Sequence, residues 1–336
     1  VASNDQASRI GSLSALRNLT VIERPGPAST PLGVIAIAFT GMLVAKLGAR
    51  VLRDVGTVPH PMTTWAPAMP DGSSALERFL SDSKEILPAG VPLATGSYLL
   101  TDDRSVANAW PDDRVVLIAP LAGSDRIQSE LTTMAASGLL DIVCDPGKPP
   151  LPLPGHQVAY ATGLAAFTGL VAAYRADLAK GSATSVQADP VEVSTWLNWK
   201  NRLSSVSGNR QTGRDRREEW RAVRCKDGYI AVIFRDRDIP DLAKLLRNDR
   251  LNATEFRKER HRLENLDEFH HIVANALKDR EKEEILKEAG ELGLQFSAVL
   301  SPADMFDDPQ MKYREFFVRR GDASMPRLPI LWNART

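Results

Sequence analysis

The sequence predicts an α/β fold with a parallel sheet in its first half and a smaller α+β domain after it. Three observations predict this. Short β-branched runs flank an apolar helix early in the chain. A long Ala- and Leu-rich helix follows, and composition then shifts to a charged stretch with helical periodicity.

The elements follow in order. Leu19 to Glu23 is a β-branched run closed by Pro25-Gly26-Pro27, a strand and its turn. Gly33 to Leu47 reads as a buried helix with Gly48 as its left-handed cap, and Arg50 to Asp54 as the next strand. Strand, helix and strand make a βαβ unit, hence a parallel pair. Ser97–Thr101 and Arg114–Ile118 read as further buried strands. Glu130–Leu140 is helical, and Val143–Pro154 is a Pro-rich loop. Gly163–Lys180 is a long helix ended by Gly181, with small residues placed for close packing.

Asn201–Arg224 reads as a polar link rich in arginine, and Glu218 and Glu219 make it a salt-bridged surface rather than a nucleic-acid patch. Cys225–Phe234 carries a turn and an alternating strand. Leu242, Leu245, Phe269, Ile272, Val273 and Ile285 set a helical period through Leu292. Phe296–Leu300 is a strand, and Ser301 with Pro302 opens a helix.

The chain has 336 residues, with Lys+Arg and Asp+Glu equal at 42. That balance gives no electrostatic case for nucleic acid or an anionic membrane as main partner. Two cysteines, Cys144 and Cys225, make neither a disulfide framework nor a cysteine metal site. The longest apolar run, Gly33–Val44, is too short to span a bilayer, and Val1–Asn18 lacks the order of a secretory signal. The expectation is a soluble protein of the cytoplasm.

No GxSxG, P-loop, HExxH or GxGxxG motif occurs. His261, His270 and His271 lie in the charged helical region and read as solvated. His60 sits in a Pro-rich loop with no metal-ligand neighbour. His156, just before the small-residue helix, is a candidate for touching a ligand.

Several segments together resemble the class III CoA-transferases, the CaiB/BaiF family, which includes formyl-CoA transferase and α-methylacyl-CoA racemase. They are Ala45–Leu52, Met134–Leu140, Tyr160–Ala166, Cys225–Ile230 and Asp308–Val318, in the family's order over roughly residues 17 to 330. The resemblance implies a Rossmann-like large domain from residues 1–205 plus 300–336, and a small α+β domain over 220–295. It also implies an interlocked homodimer, with coenzyme A or acyl-CoA as substrate rather than a resident cofactor, and CoA transfer to a carboxylic acid. No metal is implied. The family's CoA-contacting loop falls on Ser81–Ile86, which makes Ser81, Ser83 and Lys84 candidates, with Arg50 and Arg104 on neighbouring loops; Glu85 stands where the family has arginine.

The catalytic positions depart from the family. Its acyl-carrying aspartate falls on Ala159, and the racemase histidine on Ser129, beside Glu130. A methyl group neither attacks a thioester nor holds an acyl group. The "TGFG" loop becomes Pro120–Ser124, and the glutamate ending the second strand becomes Val55. Three readings stay open. One is an acyl-CoA enzyme using Glu130 and His156 as acid/base groups, with Glu130 as a helix N-terminal charge as the plainer alternative. Another is a non-catalytic binder or the partner of an active paralogous subunit. The third is a scaffold repurposed for another biosynthetic reaction.

Overall fold

The computed structural model describes residues 15–55, 60–87, 91, 95–120, 129–143, 148–207, 219–321 and 323–330. The chain divides into two compact units, Val1–Asp215 with Arg327–Thr336, and Arg216–Pro326. The stretch 300–326 therefore groups with the second unit, and only the last ten residues group with the first.

The first unit is built on six parallel strands: β1 (Thr20–Glu23), β2 (Arg50–Arg53), β3 (Glu85–Ile86), β4 (Tyr98–Thr101), β5 (Val115–Ile118) and β6 (Val186–Ala188), in the order β3-β2-β1-β4-β5-β6. Val21, Val116 and Ile118 point to one face, where they meet α1 (Pro31–Lys46) and the long helix further on. α1 begins two residues before the expected Gly33, because Thr30 caps it and Pro31 fills its first position.

The remaining helices of this unit are α2 (Ala75–Ser81), α3 (Arg104–Asn108), α4 (Glu130–Ala136), α5 (Gln157–Lys180), α6 (Pro190–Leu197) and α7 (Trp199–Val206). α4 stops short of the expected Leu140, and a 3-10 turn, Leu140–Ile142, follows it. α5 starts six residues before Gly163, with His156 in the left-handed conformation as its N-cap (φ 61°).

The expected close packing is between α1 and α5. A Cβ on Gly163 would lie 2.8 Å from the Ala36 carbonyl oxygen. Thr40 lies on the same seam; its hydroxyl donates toward Ala36 O (2.8 Å) and Gly163 O (2.9 Å). Glycine at 163 is thus a steric requirement of the helix pair.

In the second unit β7 (Arg221–Cys225), β8 (Gly228–Ile233) and β9 (Gln295–Ala298) form an antiparallel sheet. Strand β7 occupies the end of the expected polar link; residues 208–218 of that link lie outside the described residues. Packed on the sheet are α8 (Ile239–Leu245), α9 (Thr254–Arg257), α10 (Glu259–Glu264), α11 (Leu266–Leu277) and α12 (Lys282–Glu291). Phe269, Ile272, Val273 and Leu277 of α11 form the buried stripe that the sequence period marks. The helix expected at Ser301 begins at Asp304, with the Ser301 hydroxyl accepting from its backbone N–H. A hairpin, β10 (Phe317–Arg320) and β11 (Ala323–Pro326), ends the unit.

Candidate functional site

Strand order reverses between β1 and β4, and in open α/β sheets ligands bind beyond the carboxyl ends of the strands at such a point. Here that crevice is stitched by Asp102. Its carboxylate accepts from Gly26 N (3.0 Å) and Ser29 Oγ (2.5 Å), drawing the loop after β1 onto the end of β4. Burial pushes the Asp102 carboxyl up, against the pull of those two donors.

The starts of α4 and α5 meet one another. Ser129 is the N-cap of α4, its hydroxyl accepting from Thr132 N, and so is engaged in local structure. Glu130, the first residue of α4, reaches across to α5. Its two carboxylate oxygens accept from Ala159 N (2.8 Å) and Val158 N (3.1 Å). This satisfies amides that His156 leaves open, since the histidine makes no side-chain cap bond. The carboxylate thereby stands at the positive ends of two helices. The Ala159 methyl is wholly buried. Tyr160 packs edge-on against Phe39 at 5.0 Å, and burial, with the charge of Glu130 behind it, pushes its hydroxyl up.

The residues expected to face CoA are dispersed. Lys84 turns inward with its side chain at 0% exposure, pairing with Glu23 (2.6 Å) and donating to Ala38 O (2.7 Å). A place on a phosphate would require the ammonium to leave that pair. Space for the pair comes from Gly41, where a Cβ would lie 1.7 Å from Glu23 Oε1. Arg50 is exposed and bound to Glu85 through Nη2 (2.8 Å) and Nε. Arg104 donates to the Pro120 carbonyl. Ser81 Oγ is buried without a hydrogen-bond partner among the described residues, and Ser83 is exposed with φ 69°. Residues 121–124 of the altered glycine loop lie outside the described residues.

Sequence reasoning missed the charged interior beside Lys84. Glu23, Arg53 and His60 are all under 9% exposed, and Arg53 pairs with Glu77 at 3.0 Å. His60, read from sequence as a loop histidine, is buried; burial, then Arg53 and Lys84, lowers its pKa to about 4. A carboxylate ending a buried strand, Glu23, was the available signal. Among the described residues no cluster of His, Cys, Asp and Glu is arranged to hold a metal ion.

The model of CoA-transferase family III matches residues 123–335. The chain belongs to that family. Among solved structures, a CaiB/BaiF family protein from Brucella suis superposes with a TM-score of 0.82 at 17% identity, over 96% of this chain and 93% of that one. Rv3272 from Mycobacterium tuberculosis gives 0.73 at 18% identity, over 95% and 93%. Similarity at this identity shows the shared fold. No curated protein sequence matches the chain.

Proposed function

We propose that this CoA-transferase family III member handles an acyl thioester, acyl-CoA by its family, without the covalent step that the family assigns to the aspartate at position 159. One observation carries the reading. Position 159 is a buried methyl group, and its backbone N–H is already taken by the Glu130 carboxylate. Transfer through an anhydride needs a carboxylate free to attack a thioester carbon. Both Glu130 oxygens are instead engaged by α5.

In a second reading Glu130, once released from those amides, carries the acyl group from α4. One of its oxygens stands 2.8 Å from the amide of residue 159 itself, within the neighbourhood a side chain at that position would occupy. His156, whose side chain makes no cap bond at the start of α5, is then the adjacent acid/base group.

A homodimer belongs to the same proposal. Trp196, Leu197, Trp199, Leu203 and Val206 of α6 and α7 are all more than half exposed and form an apolar row for a second subunit to cover. An inactive partner of an active paralogous subunit fits Ala159 equally. The cytoplasm remains the proposed location; among the described residues no helix is long and apolar enough to cross a membrane.

The test is calorimetric titration with CoA, acetyl-CoA and succinyl-CoA, run beside an assay for exchange of labelled carboxylic acid into the thioester. Micromolar binding, about −8 kcal/mol, without exchange is the expected result. Exchange that disappears in Glu130→Gln would favour the second reading. No binding up to about millimolar would overturn both and leave a repurposed pocket.

A further inference from the structure

A groove of about 540 Å³ opens on the sheet face opposite α1 and α5, toward the starts of β5 and β6 rather than their carboxyl ends. That volume is in the range of small-ligand sites. Strand alternation builds its floor: Val116 and Val186 turn to the main core, so Val115 and Leu117 of β5 and Ser185 and Gln187 beside them turn to the groove. One half of the floor is therefore aliphatic and the other polar. Trp110 forms a wall, and its indole N–H is buried with no acceptor among the described residues.

The charged side chains among the described residues of the lining are Asp112 and Asp113, and the Arg24 guanidinium lies next to the lining, 6.0 Å from the Trp110 ring centre. Arg114, the next residue in sequence after Asp113, spends its guanidinium on Asp112 (3.0 Å) and Asp177 (2.8 Å). The Asp113 carboxylate and the Asn108 amide have no side-chain partner among the described residues. Gln187 donates its amide N–H groups to Ala119 O and Pro120 O at 3.0 Å, which leaves its carbonyl oxygen available as an acceptor.

We infer that this groove binds a small organic cation, an amine with an aliphatic or aromatic body. The ammonium meets Asp113 and the amide oxygens, and the body lies on Val115 and Leu117 against Trp110. The site is separate from the starts of α4 and α5, and the inference stands whether or not the chain handles CoA.

Benzylamine and benzyl alcohol, nearly equal in shape and unequal in charge, are the probes, titrated by ligand-observed NMR into the full chain. The amine is expected to bind at least about tenfold tighter than the alcohol. Asp113→Asn should weaken the amine by about tenfold and leave the alcohol unchanged. Ser185→Phe, which fills the floor from an exposed position, should abolish binding of the amine. Equal binding of the two probes to the unmodified chain, or no binding of the amine up to about 10 mM, would overturn the inference without any variant. Amine binding unaffected by both substitutions would also overturn it, by placing the amine elsewhere.

Discussion

Each unit buries an ion pair, and the two are satisfied differently. In the second unit Arg262, fully buried, holds Glu219 through two nitrogens (2.6 and 3.2 Å), Asp236 at 2.8 Å and Phe256 O at 2.7 Å, with its guanidinium 5.4 Å from the Phe234 ring centre. Burial opposes its charge, but the bonds to Glu219 and Asp236 win and hold its pKa above the ordinary arginine value. In the first unit Lys84 has one carboxylate and one carbonyl. There burial outweighs the attraction of Glu23, pulling the ammonium down and the carboxyl up. A planar fork with several donors placed keeps its charge indoors; a point charge with fewer partners is drawn toward the neutral form. The first pair is a clamp, and the second is a pair that protons can adjust.

That contrast is open to breakage. Arg262→Met should cost about 4 kcal/mol in chemical denaturation, because it strands Glu219 in the interior; a loss under about 1 kcal/mol would show that the arginine is no clamp. Lys84→Met should cost about 3 kcal/mol near pH 8. The deficit should shrink as pH is lowered, since the Glu23 carboxyl, pushed up by burial, takes a proton sooner than an ordinary glutamate and ceases to be a buried charge. A deficit constant with pH would mean that Glu23 stays ionised without its partner.

The smallest effect concerns His60, which sits beside the same pair. Its folded pKa of about 4 lies below the ordinary 6.5, so the unfolded chain takes up the proton first. Its contribution to stability is whole above the ordinary value and lost as pH falls toward the folded one. His60→Asn keeps a side-chain acceptor for the Met62 N–H and removes the titration. Melting temperatures of this variant and the parent, compared at about pH 7 and pH 5, should show a shallower fall in the variant.

The strands and helices with long apolar runs were legible. Val21, Ile22, Val116 and Ile118 are β-branched and sit wholly in the core, so composition alone marks them. Strands β3 and β6 have two and three residues; their pairing comes from neighbouring strands rather than from their own sequence. The start of α5 was hidden behind Gly155 and His156, whose positive φ angles resemble a loop until Gln157. In the site, Ala159 and Glu130 were identified by position, but the bond between them was not, because it joins residues 29 apart. Lys84 was legible as a cation and not as an interior one. Its direction is decided by Glu23, 61 residues earlier.

Glu130's hold on the amide of residue 159 also sets what that position tolerates. An aspartate placed at 159 while Glu130 remains would bring a second carboxylate close to the first, and like charges at short range oppose one another. Removing the Glu130 carboxylate instead would take from the first amides of α5 the group that accepts from them. Positions 130 and 159 are therefore coupled, so that a change at one alters the consequence of a change at the other.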